Sequence, residues 1–205
     1  VCPIVTMDVQ FPGSWYDVTS EKNAAEALIA RKCVLISQHA DSMGAPGACE
    51  AANVPNVSYN GSTVSACPNT ALISSRIDWA PYFKYMIQCA QKGEKIVTDF
   101  TGNLKDGSVA LTELNTAIAA EGTQAAIDAA KQGLIDGTIK VFNTANFTVG
   151  GAPLTSYKAD VDTDAAFEKD TEVIENGVFF ESKFRSAPSF DLQIDGIKLL
   201  NTNFG

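Results

Sequence analysis

Apolar and polar residues alternate along Val5-Thr6-Met7-Asp8-Val9-Gln10-Phe11, the period-two pattern of a strand with one buried face. Pro12-Gly13 ends it in a turn. After Asp17, a residue type that caps helices, the pattern becomes helical, and Ala25, Leu28 and Ile29 mark one apolar face of a helix reaching about Lys32. Cys33-Val34-Leu35-Ile36 is an unbroken apolar run and predicts a strand buried on both faces. It gives way to the polar loop Ser37-Gln38-His39-Ala40-Asp41-Ser42. Helical spacing then returns at Ala45, Ala48, Cys49 and Ala52, until Val54-Pro55 stops it. Strands are expected at Asn56 to Tyr59 and Ala71 to Ser74, with a loop from Asn60 to Asn69 between them. Strands and helices alternating over short links predict parallel βαβ units and an α/β fold.

Ser75-Arg76-Ile77-Asp78 matches a capping box, followed by a helix with Tyr82, Tyr85, Met86, Cys89 and Ala90 facing inward and Gly93 as its stop. Ile96 to Phe100 and Ser108 to Leu111 are strand candidates. An alanine-rich helical region broken at Gly122 places Ile127, Ala130 and Leu134 on one face, and Thr138 to Phe142 alternates like a strand. From Thr144 the pattern weakens, with short strands expected near Phe147 and Val178. The expected organisation is a Rossmann-like ligand-binding lobe over residues 1–93. Hinge-proximal strands, helices and a less regular C-terminal tail over 94–205 would complete that lobe or pair with another.

Composition narrows the function. The net charge of -9 argues against nucleic acid or an anionic membrane as the main partner, because both require clustered Lys and Arg. No apolar run is long enough for a membrane span, and the first residues lack the basic and apolar regions of a signal peptide. The opening residues are already strand-like, so the expectation is a segment of something longer. Cys2, Cys33, Cys49, Cys67 and Cys89 form no C-x-x-C pair and have no histidine companions, which argues against zinc. They read as small buried residues with free thiols, a Cys49–Cys67 pair staying open. The N-x-S/T triplets at Asn56, Asn60 and Asn146 match glycosylation sequons only formally, since two of them fall in the expected sheet and its loop.

His39 is the sole histidine, so any Ser-His-Asp chemistry would have to use it. Asp41 is only two residues away and no G-x-S-x-G elbow exists, so a small α/β enzyme using His39 is an alternative rather than the reading. Gly44 and Gly47 follow a strand without completing either phosphate-loop pattern, and no cofactor is implied. What remains is a set of aromatic and hydrogen-bonding residues at expected strand ends: Trp15, Gln38, His39, Asp41, Asn60, Asp78 and Trp79. Aromatic faces with a few amide and carboxylate groups suit a planar, polar heterocycle. Each also has a plainer reading: core aromatics for the tryptophans, a cap for Asp78, a turn for Asn60-Gly61.

The segments FPGSWYD, LISQHADS, TALISSRIDWAPYF, DFTG to DGSVAL, GTIKVF and FRSAPSFDLQIDGI together resemble the basic membrane protein (BMP) family of ABC-transporter substrate-binding lipoproteins, especially forms from anaerobic Gram-positive bacteria. The resemblance covers nearly the whole chain and keeps the family's segment order. It implies a Rossmann-like, parallel-sheet lobe of a type I periplasmic binding protein, three-layer αβα, corresponding to the family's C-terminal part without its N-terminal lobe. It also implies an extracytoplasmic receptor, lipid-anchored when complete, that hands a nucleobase or nucleoside to an ABC permease. A ligand-sensing domain of a signalling receptor is the alternative. On this resemblance Ser37 to Ser42 is a ligand-facing loop, and Asn60 stands where nucleoside-binding members carry an aspartate. Asp78-Trp79 stands where adenine-type members carry Asn-Trp, while the lysine of the nucleoside branch is absent, which leans toward a free base or another small planar solute.

Overall fold

The computed structural model describes residues 5–162, 164–184 and 189–202. Cys2, and residues 185–188 within the segment FRSAPSFDLQIDGI, lie outside the described residues. The chain divides into two compact units, the first comprising Val1–Asp78, Val109–Asp128 and Ile197–Gly205, the second Trp79–Ser108 and Ala129–Gly196.

In the first unit, β1 (Met7–Val9) leads to α1 (Val18–Ala30), whose N-cap Asp17 accepts hydrogen bonds from the backbone N–H groups of Thr19 and Ser20. These bonds hold the Asp17 carboxyl below its ordinary value, the Ser20 N–H contributing most. Next come β2 (Ile36–Ser37), α2 (Gly44–Ala52), β3 (Asn56–Tyr59) and β4 (Ala71–Ile77). In the second unit follows α3 (Ala80–Lys92), and β5 (Val109–Leu111) returns to the first. The sheet runs β2-β3-β4-β5, with β2, β3 and β4 parallel and β5 antiparallel to β4. A parallel sheet with interleaved helices is the α/β architecture expected of a periplasmic-binding-protein lobe.

Helices α1 and α2 pack on each other around Ala25, Ala45 and Ala48. Gly44 makes that approach possible: a Cβ there would sit 2.2 Å from the Val18 carbonyl oxygen and 3.0 Å from the Lys22 nitrogen. Glu50 on α2 accepts hydrogen bonds from the Thr70 hydroxyl (2.6 Å) and the Asn69 side chain (2.6 Å), fastening the helix to the entry of β4. These bonds, the Thr70 hydroxyl first, hold the Glu50 carboxyl below its ordinary value. Cys49 and Cys67 are buried free thiols, and burial pushes Cys49 up to about 11.

Four expected elements and caps differ from the structure. Cys33 to Ile36 is not a strand buried on both faces: β2 begins only at Ile36, and Val34 is 82% exposed. The reason is that β2 is an edge strand, with β1 pairing in parallel with β12 (Ile197–Leu199) rather than joining this sheet. Ser75 does not cap α3. It belongs to β4, and α3 starts after Trp79, whose own side chain makes no cap bond, ending as expected in the left-handed Gly93. Ile96 to Phe100 and Thr138 to Phe142 are not strands; Val97 instead donates its N–H to the Tyr85 hydroxyl (3.0 Å).

Helix α4 (Thr123–Ile135) begins beyond Gly122 as expected and carries no buried residue. In the second unit, the irregular C-terminal part is built from three two-stranded ribbons: β6 (Thr148–Val149) with β7 (Ala152–Pro153), β8 (Lys158–Ala159) with β9 (Thr171–Glu172), and β10 (Ile174–Glu175) with β11 (Val178–Phe179). Its core is Ala159, Val161, Val173 and Phe179, with Phe142 and Phe190 stacked 4.4 Å apart beside it.

Candidate functional site

In an open α/β sheet the space beyond the carboxyl ends of parallel strands is bordered by the loops that lead into the following helices. Here a cavity of about 450 Å³ lies at that end of β2 and β3, lined among others by Gln38, Asp41, Ser42, Tyr59, Asn60 and Thr63. Three of the residues singled out from the sequence therefore meet in one cavity: Gln38, Asp41 and Asn60. Two more form an aromatic row beside Tyr59. The His39 ring stands edge-on to Tyr59 at 4.4 Å and to Trp15 at 5.6 Å. The backbone N–H of Asp41 donates to the Trp15 carbonyl (2.9 Å), tying the Pro12–Tyr16 segment to the loop. Asp78 turns instead to Arg76, at 2.8 Å. Trp79 opens α3 in the second unit, where its ring stacks on Phe83 at 6.3 Å.

These residues differ in how free they are. The Gln38 carboxamide donates to the carbonyls of Ala40 (3.1 Å) and Ser42 (3.3 Å) and accepts from Asn56 (3.4 Å), so it shapes the loop from within. Among the described residues, no side chain pairs with the Asp41 carboxylate or the Asn60 carboxamide. Asn60 adopts a left-handed φ of 73°, accessible to asparagine more readily than to most residues, and its N–H donates to the Ser75 carbonyl (2.6 Å). A turn residue and a free carboxamide thus coincide at one position.

The floor of the cavity was not legible as a site. In β3 the buried positions are the polar ones, Asn56 and Ser58, while Val57 and Tyr59 are half-buried. Asn56, fully buried, donates to the Ile36 carbonyl (3.0 Å) and accepts from the Ser58 hydroxyl (2.7 Å), which lies 3.3 Å from the Thr63 hydroxyl. Its engaged amide also rules Asn56 out as a glycosylation acceptor. The available signal was the inverted alternation of Asn56-Val57-Ser58-Tyr59. Groups of three or more His, Cys, Asp or Glu arranged to hold a metal are absent among the described residues. No described helix is long and apolar enough to cross a membrane.

Residues 3–143 match the model of a family described as ABC transporter substrate-binding protein PnrA-like. A putative ABC transporter glucose-binding protein of Haloferax volcanii is 29% identical over 113 residues, 55% of this chain and 29% of that protein. Among solved structures, a transcriptional activator of the comK gene from Bacillus halodurans aligns over 62% of this chain and 45% of its own, with a TM-score of 0.52 and 17% identity. An ABC transporter solute-binding protein from Conexibacter woesei aligns over 62% and 43%, with a TM-score of 0.48 and 21% identity. The chain thus spans under half the length of each of these relatives.

Proposed function

The chain belongs to the PnrA-like family of ABC-transporter substrate-binding proteins, and from that premise we propose that the cavity between Gln38 and Thr63 is one wall of the solute cleft of an extracytoplasmic receptor. The family is one of binding proteins, not enzymes. The observation that carries the reading is the grouping of an aromatic row, Trp15-His39-Tyr59, with the unpaired Asp41 and Asn60 at one strand-end cavity. A flat ring gains area on the aromatic row, while a carboxylate and a carboxamide match hydroxyl and amino groups. A nucleoside or nucleobase offers both features. Asp41 and the net charge of -9 disfavour phosphorylated forms. The remaining assignments rest on the same reading: Asp78 and Trp79 as further ligand contacts, an opposite lobe, an ABC permease as docking partner, and a lipid anchor on the complete receptor.

A second reading is a hexose, favoured by the glucose-binding description of the Haloferax relative. Calorimetry on this chain with adenosine, adenine, AMP and glucose separates the two. Adenosine or adenine is expected to bind and AMP not. Binding of glucose alone would overturn the purine reading in favour of the hexose. Asp41→Asn is expected to weaken adenosine binding about tenfold, the magnitude of one hydrogen bond to a charged group, without changing the unfolding midpoint.

A further inference from the structure

Glu21 is 2% exposed, yet it is a carboxylate on α1, outside the set of residues lining the cavity. Its oxygens accept the backbone N–H of Ser42 at 3.1 and 3.3 Å and the backbone N–H of Asp17 at 3.1 Å. It therefore sits at two helix N-termini together: the first turn of α1, to which it belongs, and the approach to α2, where the Ser42 hydroxyl accepts from the Gly44 N–H (3.1 Å). Its oxygens satisfy backbone N–H groups that precede both helices, which explains how a polar side chain is buried at this point. The close approach at Gly44 brings the two helix starts within reach of one side chain.

From Ser42 the hydrogen bonds continue without a gap. The Ser42 carbonyl accepts from the Gln38 side chain, Gln38 accepts from Asn56, Asn56 accepts from Ser58, and Ser58 adjoins Thr63. One connected polar chain thus runs beneath the cavity from α1 to the loop after β3. It is anchored at its α1 end by the sole ionisable member.

We propose that Glu21 is a positioning residue for the cleft: it fixes the Gln38–Ser42 loop against α1, so that Asp41 and His39 are held in place before any ligand arrives. The proposal rests on the reading of this cavity as a ligand wall. Preorganisation of this kind raises affinity by removing the ordering cost of the loop from the binding step. Nothing in it requires Glu21 to touch the ligand.

The test compares the wild-type chain with Glu21→Ala and Glu21→Gln, by amide hydrogen exchange and by titration with adenosine. In Glu21→Ala the amides of Ser42 and Asp17 are expected to exchange at least tenfold faster, while Val57 and Ile73 in the sheet are unchanged, and the adenosine Kd is expected to rise about tenfold. Glu21→Gln keeps one acceptor oxygen and is expected to fall between. Unchanged Ser42 protection overturns the proposal, as does faster exchange with an unchanged Kd. If wild type does not bind adenosine, the nucleoside reading fails, and the exchange comparison alone decides whether Glu21 holds the loop. Should Glu21→Ala not fold, Glu21→Gln carries both measurements.

Discussion

Replacing Asn56 by leucine would keep the volume of a fully buried side chain and delete both of its hydrogen-bonding functions. The Ile36 carbonyl and the Ser58 hydroxyl would lose a partner away from water, and each such loss costs roughly 1 to 3 kcal/mol. Asn56→Leu is therefore expected to destabilise the chain by about 2 to 4 kcal/mol in denaturant unfolding. An unchanged midpoint would show that Asn56 is dispensable to the chain beneath the cavity. Asn60 belongs to the same scale, since its left-handed backbone and free carboxamide make it both turn and candidate contact. The sequence shows the turn through Asn60-Gly61, but not that the side chain faces a cavity. That direction depends on the Ser75 carbonyl, which belongs to the neighbouring strand.

At the level of elements, the helix pair α1–α2 depends on the absence of a side chain at Gly44. An alanine there would overlap the Val18 carbonyl, a backbone atom that cannot rotate away. Gly44→Ala is expected to cost about 1 to 3 kcal/mol by overpacking and to loosen the Ser42 loop, readable as a lower unfolding midpoint together with faster Ser42 exchange. Helix α2 is also tied to β4 through Glu50, whose folded value is depressed by its bonds to Thr70 and Asn69. A carboxyl depressed in the folded state contributes stability above its ordinary value of 4.5 and loses that contribution as pH falls through the folded value. Wild type should therefore be more stable than Glu50→Gln at pH 7, and the gap should close on acidification below 4.5 in thermal unfolding followed by circular dichroism. A gap that stays constant would mean that packing, not charge, joins the two elements. The helices themselves were legible from spacing and from Asp17 and Gly93. The strands were less so, because a short apolar run such as Cys33 to Ile36 does not reveal whether a neighbour will cover it.

At the scale of the whole molecule, a cavity bordered by strand-end loops on one side covers only part of a ligand, whereas tight sites enclose most of it. The chain spans only part of the length of its relatives. On the proposed reading the 205-residue chain should bind adenosine with a Kd of about 0.1 to 1 mM, corresponding to roughly -5.5 to -4 kcal/mol; a nanomolar value from calorimetry would mean that the site is complete within it. The sequence by itself determined the α/β class, the parallel order of the strands expected at Cys33 to Ile36, Asn56 to Tyr59 and Ala71 to Ser74, the presence of α1, α2 and α3, the cap of α1 at Asp17 and the stop of α3 at Gly93, and the position of the polar loop at the end of the second strand. Periodicity and caps are local signals, and these features are local. Only the tertiary structure decided that β1 pairs with β12 rather than with this sheet, that Gln38 supports the loop from within, and that Glu21 is joined to the cavity floor. Each of these depends on which distant backbone group lies within 3 Å of a side chain. For Glu21, 21 residues from Ser42 along the chain, that proximity follows from the packing of α1 on α2 at Gly44.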